Sequence, residues 1–209
     1  MDGLLFDSER VVQRAWNYAG ELMGYPEFGN HIYHTIGFNR KRRGEYFREH
    51  VNPEFPMDWF TELTRKKYYQ ILEQEGIPKK PGVEELLQYA KESGIKCALA
   101  TSSSRDHAEA MLGRYDLLGY FDGAVCGDMV TRGKPAPEIY IKAAQVIGLP
   151  CEYALALEDA PNGVRAAAAA NMRVIMVPDL VEPDEEIQRI AWKRCDSLFD
   201  VLELLKRGA

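Results

Sequence analysis

The chain has 209 residues, 46% of them apolar, with 26 basic against 32 acidic side chains and a net charge of −6. That length suits one core domain plus a smaller insertion, and the apolar share is enough for a sizeable core. The acidic balance speaks against nucleic acid or an anionic membrane as a partner, so an anionic substrate would need local cations or a metal. No apolar run approaches the ~20 residues of a bilayer span, and no charged-then-apolar leader opens the sequence. A cytoplasmic monomer is therefore expected. Cys97, Cys126, Cys151 and Cys195 are isolated from each other and read as buried or half-buried thiols rather than a zinc or redox pair.

In chain order, Asp2-Gly3 taken alone is a turn, the Gly supplying positive φ. From Arg10 to Lys80 the pattern is helical, with long runs at Val11–Met23 and Trp59–Gln74, and Pro53 and Pro56 breaking the middle. This predicts an all-helical insertion whose core is built from Tyr33, Phe38, Tyr46, Phe47, Trp59, Phe60, Tyr68 and Tyr69. Arg40-Lys41-Arg42-Arg43 reads as a solvated basic turn. His31 and His34 are three apart, and two histidines without a third ligand make a poor metal site, so both are placed on the surface.

From Pro81 onward helix and strand alternate. Val83, Leu86, Leu87 and Ala90 share one helix face before Gly94. A strand follows at Ile95–Ala100, then a helix at Arg105–Tyr115, a strand at Ala124–Cys126 and a helix at Pro137–Ile147. Next come a buried strand at Tyr153–Leu157, a helix at Pro161–Ala170 reversing at Asn171, a strand at Arg173–Val177 and a closing helix at Ser197–Lys206. Such alternation predicts an α/β fold, a parallel sheet with helices on both faces.

Four short motifs sit where open α/β sheets place ligands, beyond the carboxyl ends of strands: Asp2-Gly3, Thr101-Ser102, Lys134-Pro135 and Glu158-Asp159. Together they offer carboxylates for a hard cation, a hydroxyl for a phosphate oxygen and a fixed cation. Two adjacent acids at a buried strand end are costly unless paired or metal-bound.

Asp2-Gly3 with Asp7-Ser8-Glu9, Leu99-Ala100-Thr101-Ser102, Gly133-Lys134-Pro135-Ala136-Pro137 and Leu157-Glu158-Asp159-Ala160-Pro161-Asn162-Gly163 resemble, in order, the four motifs of the haloacid dehalogenase-like phosphotransferases. The subgroup that looks closest holds β-phosphoglucomutase-like and phosphoglycolate phosphatase-like enzymes. The resemblance implies a Rossmann-like core from residues 1–9 and 81–209, with a small helical cap at 10–80 inserted after the first motif. It implies Mg²⁺ as cofactor, bound by Asp2, Glu158 and Asp159. Asp2 would be the general acid/base, Thr101 and the Ser102 amide would hold phosphoryl oxygens, and Lys134 would neutralise their charge. Gly3 and Arg40 would join Ser102 in contacting a small phosphorylated metabolite.

This sequence departs from the pattern at three points. The family nucleophile, an Asp at the end of the central strand, would sit immediately before Met1 and is not among these 209 residues. The expectation is that those residues belong to the natural protein; a catalytically dead phosphate- or sugar-binding module is the alternative. Without that strand its neighbours would expose unpaired backbone in the middle of the fold. The proton-carrying cap histidine of β-phosphoglucomutases falls at Val12, which favours hydrolysis over a sugar-phosphate mutase. Ala160 replaces the usual Ser at the N-cap before Pro161, which affects stability more than chemistry. The dehalogenase branch needs no metal and would leave Glu158-Asp159 without a task. The expected activity is a Mg²⁺-dependent phosphatase.

Overall fold

A computed structural model describes residues 1–208. The segment before Lys79 is helical: α1 (Glu9–Met23), α2 (Ile32–Thr35), α3 (Arg40–His50) and α4 (Met57–Glu75). α1 turns Val11, Ala15, Trp16 and Ala19 inward, one stripe of a 3.6-residue period, and ends at Gly24 in the left-handed conformation, φ 82°. Trp16, Phe28, Phe47, Phe55 and Phe60 form an aromatic core of their own. Most of its rings meet tilted or edge-on, Phe28 to Phe47 at 4.9 Å and Trp16 to Phe60 at 5.6 Å, while Phe28 and Phe55 stack at 5.3 Å. A second face of the segment, with Val11, Tyr68, Ile71 and Leu72, joins the core of the α/β part.

Two expectations for this segment are overturned. Arg40–Arg43 is not a solvated turn but the start of α3, because Asn39 caps it by accepting from the Arg42 amide at 3.0 Å. Arg42 then donates to the Lys134 carbonyl at 2.8 Å, and Arg43 lies over the Trp16 ring at 5.0 Å. His31 is half-buried rather than on the surface: its ring packs on Phe28 and sits 3.3 Å from the Tyr46 hydroxyl. His34 is exposed, as expected. So are Tyr33 and Trp59, assigned above to the core.

The α/β part follows the expected order: α5 (Val83–Glu92), β1 (Ala98–Ala100), α6 (Arg105–Arg114), β2 (Gly123–Val125), α7 (Glu138–Val146), β3 (Leu155–Glu158), α8 (Pro161–Ala169), β4 (Arg173–Met176), α9 (Glu185–Ile190), β5 (Lys193–Arg194) and α10 (Leu198–Lys206). β3 runs one residue further than predicted, so Glu158 belongs to the strand, while Tyr153 is exposed in a preceding 3₁₀ turn. α9 and β5 have no counterpart in the sequence pattern: one is short and the other is two exposed basic residues. Asn171 has φ 64°, the left-handed reversal predicted for it, and Ala160 is the N-cap of α8 without a side-chain bond. Cys126 and Cys195 are buried, Cys97 and Cys151 half-buried, and all four are free thiols.

Every strand pair is parallel. The strands do not form one sheet, however: β1 pairs with β2, and β3 with β4 and then β5. Between β1 and β3 lies an apolar slot of about 570 Å³, walled by Leu99 on one side and by Leu155 and Leu157 on the other, with Met1, Leu5 and Leu86 at its sides. Residues 1–6 form a tight turn, Leu5 N–H donating to the Met1 carbonyl at 2.8 Å. Among the described residues no helix is long and apolar enough to cross a membrane.

Candidate active site

The four motif loops close a ring of contacts around one cavity. β1 ends at Ala100 and delivers Thr101, which is buried and donates its N–H to the Val125 carbonyl at 3.0 Å. In the same loop Ser103 donates its hydroxyl to Asp2 Oδ2 at 2.7 Å, and Ser8 donates to Oδ1 at 2.8 Å. Lys134 is buried, 6% exposed; its Nζ donates to the Ala100 carbonyl at 3.3 Å and pairs with the Glu158 carboxylate. Tyr140 donates a second hydrogen bond to Glu158. Asp159 lies against Gly3, whose φ of 73° and lack of Cβ make room for the Asp159 carboxylate; a side chain there would strike Asp159 Oδ2. Gly163 gives Glu158 the same clearance. Asp2, Thr101, Lys134, Glu158 and Asp159 all line a cavity of about 640 Å³.

The remaining sequence candidates divide. Ser102 lines the cavity and donates its hydroxyl to the Gly37 carbonyl at 2.9 Å, tying the helical segment to the loop after β1. Gly3 packs behind Asp159. Arg40 reaches the rim, but its guanidinium is engaged by Asp58 at 2.5 Å, both side chains exposed. Val12 is in the wall, at the position where a proton-carrying histidine was sought.

Burial pushes the Asp2 carboxyl up, but the charges of His107 and the N-terminal ammonium, with the hydrogen bonds from Ser103 and Ser8, outweigh it and hold Asp2 below the usual carboxylate range. Asp159 is pushed the other way, up to about 7, by burial and then by the adjacent Glu158. Burial also raises Glu9 to about 8, with Asp2 and Asp159 adding repulsion. A carboxyl raised above its unfolded value of about 4 stabilises the fold below that value, and that contribution is lost as pH climbs through the folded value. Glu9 and Asp159 thus make the metal-free protein progressively less stable as pH rises from about 4 to about 8. Calorimetric melting should show the fall, and Mg²⁺ should raise the melting temperature more at the upper pH than at the lower.

No three acidic, histidine or cysteine side chains among the described residues are grouped as a metal cage. Asp2 is held by two serines, and Glu158 by Lys134 and Tyr140. Asp159 is different: a buried carboxyl whose raised pKa marks uncompensated repulsion. A hard dication would relieve it. Mg²⁺ keeps several waters and needs only one or two carboxylates, so an Asp159 anchor with Glu158 beside it fits that ion.

Ser8, Ser103, Tyr140, Glu9, Arg43 and His107 also belong to this site and were not singled out from sequence. His107 lies in the cavity wall with Nδ1 3.2 Å from the Tyr69 hydroxyl. Ser8 and Glu9 carried a signal, as part of the first motif, and Arg43 stood in the basic run 40–43.

The sequence model of the haloacid dehalogenase-like hydrolases matches residues 1–171. The chain belongs to this family. Among its relatives is a Drosophila melanogaster protein described as a probable pseudouridine-5′-phosphatase, 35% identical over 86% of this chain and 79% of that protein. The Rhodobacter sphaeroides protein CbbY, solved in complex with phosphate, superposes with a TM-score of 0.81 at 29% identity, covering 96% of this chain and 93% of that one. A β-phosphoglucomutase from Clostridium difficile shares the fold, with a TM-score of 0.83 at 22% identity, over 99% of this chain and 92% of that one. The α/β fold of this hydrolase is thus the Rossmann-like fold of its family.

Proposed function

We propose that this chain is the body of a Mg²⁺-dependent phosphatase acting, as a monomer, on a small phosphate ester. The observation that carries it is the convergence of Asp2, Thr101, Lys134, Glu158 and Asp159 on one cavity. Phosphoryl transfer is catalysed mainly by positioning and by stabilising charge on the equatorial oxygens. Thr101 and the Ser102 amide hold those oxygens, and Lys134, already buried, neutralises them. Mg²⁺, held by Asp159, Glu158 and the Asp2 carbonyl, would supply the remaining positive charge. Ionised Asp2 is the form that takes a proton from water; a phosphate dianion arriving beside it raises its pKa toward the form that protonates a leaving group. The helical segment is the cap, and its contact at Ser102 closes the site against water.

The carboxylate nucleophile is not among residues 1–209. We assign that role to an Asp that a strand filling the slot between β1 and β3 would carry. The experiment compares the chain as it stands with one extended by an apolar strand ending in Asp. Mg²⁺-dependent release of phosphate by the extended chain alone is the expected result; equal turnover by both overturns this assignment. Val12 favours hydrolysis over mutase chemistry, because an apolar side chain cannot carry a proton between sugar hydroxyls.

A further inference from the structure

We propose that Glu9 and Arg43 form a subsite that recognises hydroxyl groups on the part of the substrate remote from its phosphate. This rests on the phosphatase assignment above. Both residues line the cavity. Arg43 has five N–H donors, yet its one side-chain hydrogen bond among the described residues runs from Nη2 to the Phe38 carbonyl at 3.2 Å. Its Nε is buried without a partner. The Trp16 ring fixes the guanidinium plane from one side. Glu9 senses the Arg43 charge, but no ion pair joins them among the described residues.

Unspent donors beside an unspent acceptor in a cavity wall suit a group that both gives and takes a hydrogen bond. A hydroxyl does so, accepting from Arg43 and donating to Glu9. A second phosphate would satisfy Arg43 but, having acceptors only, would offer no donor to the Glu9 oxygens, and a purely apolar ligand would leave both unpaired at a desolvation cost. α4 extends the pattern. Thr61 and Thr64 donate their hydroxyls to Met57 and Phe60 carbonyls of their own helix at 2.6 and 2.8 Å, leaving lone pairs toward the cavity they line. The wall thus offers the free Arg43 N–H donors and several acceptors, with Phe60 as an apolar face for the carbon chain.

Calorimetric titration of the chain as it stands, in Mg²⁺, tests this with inorganic phosphate, hexyl phosphate, 1,6-hexanediol bisphosphate and sorbitol 6-phosphate. The hydroxylated ester should bind about tenfold tighter than hexyl phosphate, the worth of a hydrogen bond to a charged group. Glu9→Ala and Arg43→Met should each bring that ratio close to one, and Glu9→Gln should keep part of it. Thermal melts of each variant confirm folding. An undiminished preference in the folded variants, or a wild-type preference for the bisphosphate or hexyl ester, overturns the subsite. Failure of inorganic phosphate itself to bind overturns the phosphatase assignment, and the subsite with it.

Discussion

Replacing Lys134 with Met should lower the melting temperature by about 6–20 °C. Breaking a buried pair by removing one partner costs about 3–5 kcal/mol, and each kcal/mol shifts the melting of a chain of this size by about 2–4 °C. The mechanism is specific. Lys134 and Glu158 are both almost fully buried, and the Lys134 ammonium is the cation that pairs with the Glu158 carboxylate. With Met in its place, Glu158 keeps only the Tyr140 hydroxyl and must remain charged at a penalty or take up a proton. Adding Glu158→Gln to the Lys134→Met variant should recover much of the loss, because the uncompensated charge goes with the carboxylate. Differential scanning calorimetry of the single and double variants reads both effects. A single variant melting within about 2 °C of the parent would show that the pair does not hold the two loops together.

Asp2→Asn, made in the chain extended by the Asp-bearing strand, should reduce kcat by roughly 10²–10⁴, the usual worth of a positioned general acid/base. The amide keeps the size of the carboxylate; its oxygen can still accept from one of Ser8 and Ser103 while its NH2 donates to the hydroxyl of the other, so the loop geometry survives while the proton-carrying capacity does not. The affinity for inorganic phosphate should stay within about threefold, well under the 1.4 kcal/mol of a tenfold change. Steady-state phosphate release and calorimetric phosphate binding separate the two quantities. A kcat preserved within about threefold would assign the proton transfer to another group, and His107, in the same wall, would be the first to test.

Much of the architecture was legible because it rests on local chemistry. The stripe of α5, the αL reversal at Asn171 and the N1 position of Pro161 each follow from residue type and short-range spacing. The division of the chain into a helical stretch and an alternating stretch was legible for the same reason. α3 was not, because its start depends on the Asn39 cap and on Phe47 burying itself among aromatics from three other segments. β5 was not, because two exposed basic residues earn their strand geometry only by lying beside β4.

The candidate site shows the same boundary. Asp2, Thr101, Lys134 and the Glu158-Asp159 pair could be named because each sits in a recognisable motif. Ser103 and Tyr140 could not. Ser103 meets Asp2 across 101 positions of sequence, and Tyr140 meets Glu158 across 18. Such partners are set by how the strands lie side by side. The two-sheet arrangement sits between these cases: the expectation that the neighbours of a missing central strand would lie unpaired came from the family resemblance, while their identity as β1 and β3 and the apolar walls of the slot are properties of the folded chain.

The central claim is that four loops build one phosphate site completed by a metal at Asp159. Titration of inorganic phosphate into the chain as it stands, with and without Mg²⁺ and repeated with Asp159→Asn, addresses it most directly. Phosphate binding that Mg²⁺ strengthens in the parent and leaves unchanged in the Asp159→Asn variant is the predicted result. Phosphate affinity indifferent to Mg²⁺ in the parent, or equally enhanced in both proteins, would contradict it.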